Sequence, residues 1–391
     1  MYDIETELVN VSFKDQHNPA SMPLYQTATF HLEDLNTESQ YDYTRSGNPT
    51  RTALQTHLAK IMGNAHAAFA VSTGMSALDV ISRLLNPGDE VIAGLDMYGG
   101  SSRFLTYLTE SINITSHNVD TTKVDDVVNQ VNEKTKIILL ESPTNPGMQI
   151  CDIRTIAKAA KEKNSNVIIV VDNTMMSPLN MNPFELGADI WYESATKYLS
   201  GHHDMMGGVI ALKCPKLADK IYYIINMNGA GMAPFDSWLL LRGLKTLGVR
   251  FDRQQENAIA VANFLKKIAP KVKTPKFEVL YPGLEDSEGY EIFKSMSKGP
   301  AAVLSFRTHD VALSEKIVHA TKIFEISVSF GAVNSLISLP CKMSHASIDP
   351  AIRKARGFPE DIIRLCIGIE SSKDLVEDLH QAFITAGVLE E

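Results

Sequence analysis

Residues 135–147, TKIILLESPTNPG, and residues 166–174, NVIIVVDNT, each run a continuous apolar stretch into a polar ending. Neither alternates apolar with polar, as a strand with one wet face would. Unbroken runs of this length predict strands covered on both sides, the arrangement of a parallel sheet packed between helices. Between them, IRTIAKAAKEKN (residues 153–164) places its apolar residues at helical spacing. Strand, helix, strand is the repeating unit of an α/β fold.

The same alternation extends upstream. AAFAVSTGMSALDVISRLL (67–85) reads as a short strand, a small-residue turn at Ser72 to Gly74 and a helix, and DEVIAGLDMYGG (89–100) as a strand ending in a loop. Downstream, SWLLLRGLKTLGVRFDRQQENAIAVANFLKKI (237–268) predicts one long helical segment. After it the strands KFEVLYPG, AAVLSFRTH and EISVSFGAVNSLISLP alternate with helical stretches such as VALSEKIVHATKIF. The expected organisation is an N-terminal arm over residues 1–49, a large α/β domain with a mostly parallel sheet over 50–248, and a smaller C-terminal α/β domain over 249–391. A chain of 391 residues is long enough for two cores.

Composition narrows the function. A formal net charge of −9 with no long basic run argues against nucleic acid or an anionic membrane as partner. No apolar run approaches the length that crosses a bilayer. The N-terminal MYDIETELVNVSFKDQ lacks the pattern of a signal peptide. The four cysteines, Cys151, Cys214, Cys341 and Cys366, are widely spaced with no CxxC pair. Reduced thiols in the cytoplasm are the expectation, rather than disulfides or a metal site. His202, His203 and Asp204 are read as structural, since no further ligand cluster accompanies them.

Every notable polar group of the large domain follows a strand, where ligands bind in open α/β sheets. Lys197, in SATKYLSGHHDMMGG (194–208), is framed by the hydroxyls of Ser194 and Thr196. That suits a Schiff-base lysine whose neighbours donate to a phosphate. Asp172 ends an apolar strand, a costly place for an acid without a strong partner, and a pyridinium N–H is one such partner. The turn of STGMSAL offers backbone N–H groups at a helix mouth. Tyr98 could stack on an aromatic ring. Each of these alone is equally a surface lysine, a helix cap or a core tyrosine.

Together the stretches YDYTRSGNPTR, STGMSAL, DMYGG, ESPTNP, VVDNT, SATKYLSGHHDMMGG, SWLLLRGLKTL, SVSFGAVNSL and IIRLCIGIE resemble, in the same order, the Cys/Met-metabolism family of pyridoxal-phosphate enzymes. The resemblance spans nearly the whole chain and implies the fold type I, transferase-like architecture with pyridoxal 5'-phosphate as cofactor. By it, Lys197 is the cofactor lysine and Asp172 pairs with the pyridine nitrogen. Tyr98 stacks on the ring and serves in catalysis, and Gly74, Met75, Ser194 and Thr196 bind the phosphate. Tyr43 and Arg45 would reach the cofactor of a neighbouring subunit, making each site composite in a homo-oligomer, a dimer of dimers. Arg364 would grip the substrate α-carboxylate, with Asn145 and Ser329 lining the same region.

Two departures bear on the reaction. Val328 stands where the γ-eliminating and γ-replacing enzymes often carry glutamate, and Gly100 stands where methionine γ-lyases typically carry cysteine. The stretches beginning at Gly231, Ser327 and Arg353 look closest to the β-lyases of the family. The expectation is therefore β-elimination of L-cystathionine to homocysteine, pyruvate and ammonia, as in methionine biosynthesis. The alternatives are a cystathionine γ-lyase or γ-synthase, a broad cysteine-conjugate C–S β-lyase, and a catalytically silent scaffold. Arg51 and Arg103 are candidates for a distal substrate carboxylate, with a structural role the expected reading.

Overall fold

The computed structural model describes residues 2–390 except 37–38, 275, 347–350, 352 and 354–356, so the stretch beginning at Arg353 is described in part. A seven-stranded sheet is built from β1 (Ala67–Val71), β2 (Glu90–Gly94), β3 (Thr115–Val119), β4 (Thr135–Glu141), β5 (Ile168–Asp172), β6 (Ile190–Ser194) and β7 (Gly208–Leu212). Its spatial order is β1-β7-β6-β5-β4-β2-β3. The strands run parallel except β7, which is antiparallel to both neighbours. The mostly parallel α/β architecture read from the sequence is present.

A second sheet holds β8 (Glu278–Leu280), β9 (Val303–Arg307), β10 (Glu325–Ile326), β11 (Leu336–Ser338) and β12 (Ile362–Cys366), in the order β10-β11-β12-β9-β8. One continuous core joins one face of the large sheet to the second sheet, and a separate core covers the opposite face. Covering on both faces is why Ile137–Leu140 of β4 and Ile168–Val171 of β5 are unbroken apolar runs.

Two expectations differ from what forms. The long helical segment is two helices, Pro234–Leu244 and Leu247–Ile268. The Gly243 carbonyl accepts from Thr246 Oγ1 (3.2 Å) and Arg250 Nη2 (2.9 Å), and side-chain donors on that carbonyl divert the chain between the two helices. A Cβ on Gly243 would lie 2.6 Å from the Ser200 carbonyl oxygen, so this turn packs directly on the loop that follows Lys197. The stretch EISVSFGAVNSLISLP is likewise not one strand. Its ends pair as β10 and β11, while residues 327–335 loop between them and carry Ser329.

Candidate active site

The loop after β6 folds back at once. Lys197 N–H donates to Ser194 O (3.2 Å), and Gly201 N–H to Lys197 O (2.8 Å). This turns the Lys197 side chain toward the second sheet, where Nζ donates to Ser329 Oγ at 2.7 Å and lies 5.1 Å from the centre of the Phe330 ring. Burial, reinforced by the positive charge of Arg364, lowers the Lys197 ammonium to about 8. An amine in that range is partly neutral near physiological pH and can act as nucleophile or base.

Ser329 anchors both cations. Its carbonyl accepts from Arg364 Nη2 (2.9 Å), while Arg364 Nη1 donates to Asn145 Oδ1 (2.9 Å). Ser329 adopts φ +85°, a left-handed conformation uncommon for a residue with a side chain and frequent at functional sites. Gly331, at φ +83°, sits where a Cβ would fall 2.6 Å from Tyr198 N, which lets this loop press against the lysine loop. Arg364 Nε is buried with no hydrogen-bond partner among the described residues. A buried guanidinium N–H left open in this way fits an incoming anion.

The large sheet supplies the other wall. Asp172 Oδ1 accepts from Thr174 N (3.0 Å) and Thr174 Oγ1 (2.5 Å), and the Tyr192 phenol bonds the same carboxyl. Burial raises this acid, and the donors together with the Lys197 charge oppose the rise. Thr73 caps the helix Gly74–Ser82, its hydroxyl accepting from Ser76 N–H (2.9 Å). A helix offers no internal acceptor to its first N–H groups, so those of Gly74 and Met75 are available to an anion. A Cβ on Gly74 would lie 2.8 Å from Ser194 Cβ, so glycine there seats the helix end against Ser194.

Tyr98, 40% exposed, precedes the helix Gly99–Ile112. A Cβ on Gly100 would meet Tyr98 Cε1 at 2.4 Å and Met75 Sδ at 3.1 Å. Any larger residue at 100 would therefore displace the tyrosine ring. The absence of a side chain at Gly100 has a direct structural meaning.

One chain brings together Lys197, Asn145, Ser329 and Arg364 by direct bonds, with Asp172 near enough for its charge to act on Lys197. The Thr196 hydroxyl accepts from Gly207 N–H (3.1 Å) and donates to Gly207 O (3.4 Å). Tyr43 and Arg45 are not among the described hydrogen-bond or ion-pair partners of these residues. Arg45 stacks 5.0 Å from the Tyr43 ring and reaches Asn226 Oδ1 at 3.4 Å. Arg51 is 5% exposed and donates to the carbonyls of Met232 (3.0 Å), Thr44 (2.5 Å) and Arg45 (3.1 Å), so it fastens the arm. Arg103 lies exposed on the helix Gly99–Ile112.

Sequence reasoning passed over Glu141, Tyr192 and Phe330. Glu141 ends β4 just as Asp172 ends β5, so the signal that singles out Asp172 was present for it too. Tyr192 and Phe330 lie within apolar stretches, and only their contacts distinguish them from core residues.

Comparison with known proteins places this geometry. Residues 5–384 match the family model described as Cys/Met metabolism PLP-dependent enzyme. The chain is 55% identical over 388 residues to a cystathionine β-lyase of Neurospora crassa, covering 99% of this chain and 83% of that protein. It is 50% identical over 387 residues to a cystathionine β-lyase of Schizosaccharomyces pombe, covering 98% and 97% respectively. Among solved structures, a cystathionine γ-lyase from Lactobacillus plantarum complexed with L-serine superposes with a TM-score of 0.93 at 35% identity, covering 99% of this chain and 100% of that one. The site fits the cofactor of that family. It offers an amine of lowered basicity, a carboxyl at a strand end, a helix mouth pressed on Ser194 and an open tyrosine face.

Proposed function

This chain belongs to the Cys/Met metabolism PLP-dependent enzyme family, and we propose that it cleaves L-cystathionine by β-elimination, as a carbon–sulfur lyase of methionine biosynthesis. The Cβ–S bond breaks, homocysteine leaves as the thiol, and the remaining aminoacrylate takes up water to give pyruvate and ammonia. The observation that carries this reading is the Ser329 junction, which fixes a weakly basic amine and a carboxylate-binding arginine on opposite ends of one residue. An α-amino acid held by its carboxylate at Arg364 presents its Cα–H to Lys197.

Pyridoxal phosphate, when bound, supplies the electron sink that accepts the charge left at Cα. Lys197 would hold that cofactor through Nζ, and as a free amine Nζ would take the Cα proton. At about 8 its basicity matches that role near neutral pH. The same ammonium, or the Tyr98 phenol, then returns a proton to the leaving sulfur. Ser329 Oγ limits the swing of Nζ, so the amine stays on one side of the site. Arg364 and Asn145 hold the α-carboxylate, the open Nε adding a donor, and their contribution is orientation of the bond to be broken.

Asp172 would pair with the ring nitrogen, Tyr98 would stack on the ring, and the N–H groups of Gly74 and Met75 would hold the phosphate with the Ser194 hydroxyl. We assign Thr196 to the support of this loop through Gly207 as well as to the phosphate. Tyr43 and Arg45, which no described bond joins to Lys197 in one chain, are assigned to the site of an adjacent subunit in a dimer of dimers. Four cysteines, none in a disulfide, suit a reducing cytoplasmic setting.

The test is replacement of the lysine. Lys197→Ala, loaded with pyridoxal phosphate, is expected to lose both turnover of L-cystathionine and the visible absorbance that depends on the lysine linkage. Near-normal turnover by that variant would remove Lys197 from the reaction.

A further inference from the structure

Behind the Asp172 carboxyl, three strands bring three polar side chains into one row. Glu141 at the end of β4 pairs in register with Asp172 on β5, and Asp172 pairs with Tyr192 on β6. Partners across adjacent parallel strands point to the same face. Glu141, Asp172 and Tyr192 accordingly line one small cavity, of about 10 Å³, together with Asp96 and Ser101. That volume is about what a single water requires. Neighbouring carboxyl groups in such a place cannot all ionise without a large electrostatic cost.

The donors are divided unequally among them. Asp172 takes the Thr174 N–H, the Thr174 hydroxyl and the Tyr192 phenol, and the Lys197 charge favours its anion. Asp96, from the loop after β2, takes the Thr144 hydroxyl (2.5 Å) and the Gly147 N–H (3.0 Å). Among the described residues, Glu141 receives backbone N–H groups alone, from Tyr98 to Oε2 at 3.2 Å and from Asn145. The charged groups that act most strongly on it are Asp172 and Asp96, both acids. Burial first, then those two negative neighbours, push Glu141 well above the usual carboxylate range.

We propose that Glu141 is a positioning residue of the cofactor site: a neutral acid that leaves Asp172 as the carboxylate toward the cofactor ring while its Oε2 holds the backbone of Tyr98. The inference rests on the assignment of Asp172 given above. The pair Glu141–Asp172 then carries one proton and one negative charge, which matches a single protonated ring nitrogen. An ionised Glu141 would add a second charge, and no ion-pair partner meets it among the described residues. A glutamine would serve as well as the acid, because it is neutral and its carbonyl still accepts from Tyr98 N–H. An alanine would leave the Tyr98 and Asn145 N–H groups without that acceptor and free the start of the helix Gly99–Ile112.

The experiment begins with cofactor-free protein. Infrared difference spectra are recorded at pH 7 between Glu193→Gln and Glu193→Gln/Glu141→Gln, the first change removing a second buried glutamate, one that burial pushes up to about 8. A protonated-carboxyl C=O band that disappears with Glu141→Gln is the expected result, and an unchanged carboxyl region overturns the proposal. Pyridoxal phosphate affinity gives the second reading. Glu141→Gln should stay within about threefold of the parent and Glu141→Ala should weaken binding by about 30-fold or more, both read as ratios of dissociation constants. Equal loss in the two variants would overturn the proposal, because a neutral acceptor would then not suffice. Failure of the Asp172 assignment shows separately, as unchanged cofactor affinity and an unchanged visible spectrum in Asp172→Asn.

Discussion

Asp172 and Glu193 lie almost side by side, one at the end of β5 and one near the end of β6, yet on opposite faces of the sheet. Asp172 pairs in register with Tyr192, so Glu193, the next residue, points the other way. Glu193 is 1% exposed, and its Oε1 accepts from Trp191 Nε1 (2.8 Å) and Asn173 Nδ2 (3.0 Å) inside a closed core. Burial pushes it up to about 8. Asp172 bears a similar cost of burial and also has donors of its own, but it lines a cavity and lies within electrostatic reach of the Lys197 amine. A buried acid therefore marks a site only where its surroundings leave room for a partner from outside. Glu193 is a finished core interaction; Asp172 is an unfinished one.

Substitutions on the Asp172 side should dominate function, and those on the Glu193 side should move only stability. After Lys197→Ala, the largest expected loss belongs to Arg364→Lys. Lysine cannot reproduce the fork that reaches Asn145 and the Ser329 carbonyl together. The expected fall in kcat/KM is about 100-fold, with KM raised and the cofactor absorbance retained. Retained kcat/KM in steady-state assays would take the α-carboxylate away from Arg364.

Gly74→Ala should come next. The added methyl must displace Ser194 at 2.8 Å, disturbing the helix mouth and the start of the lysine loop at once. Overpacking of this kind costs about 1–3 kcal/mol. Cofactor titrations are expected to show binding weakened roughly tenfold, the equivalent of about 1.4 kcal/mol. Unchanged affinity would show that the phosphate does not rest on this turn.

The smallest effect, and one with no counterpart in activity, is expected at Glu193. Its folded pKa is raised above the unfolded value of 4.5, to about 8. The stability it contributes as the neutral acid is fully present below 4.5 and is lost as pH rises through about 8. Within that window the slope approaches about 1.4 kcal/mol per pH unit. Glu193→Gln keeps the acceptor for Trp191 and Asn173 and has no proton to lose. Thermal unfolding from pH 6 to 9 should therefore decline less steeply in the variant, with kcat unaltered. Parallel curves for the two proteins would place the Glu193 titration elsewhere.

The contrast also separates what is legible in the sequence from what is not. The unbroken apolar runs of β4 and β5 can be read directly, because burial on both faces leaves a pattern along the chain. The acid ending β5 could be read as well, yet the same reasoning applied to TKIILLE would have found Glu141. The junction of Lys197, Ser329 and Arg364 could not be read from pattern. It unites residues from the large sheet, a loop and β12, and only resemblance to a family brought them together in advance. The break between Leu244 and Leu247 was hidden for a similar reason, since the Gly243 carbonyl there accepts from the Thr246 N–H and hydroxyl and from Arg250, contacts that leave no pattern along the chain. Tyr192 and Phe330 look like core residues in any one-dimensional reading. Their roles rest on what lies opposite them.

The central claim is that these groups are assembled for cleavage at the β-carbon of cystathionine. Incubating the cofactor-loaded protein with L-cystathionine and identifying the thiol and the keto acid together by mass spectrometry tests it most directly. The expected products are homocysteine and pyruvate. Cysteine with 2-oxobutyrate would contradict it and move the reaction to the γ-carbon.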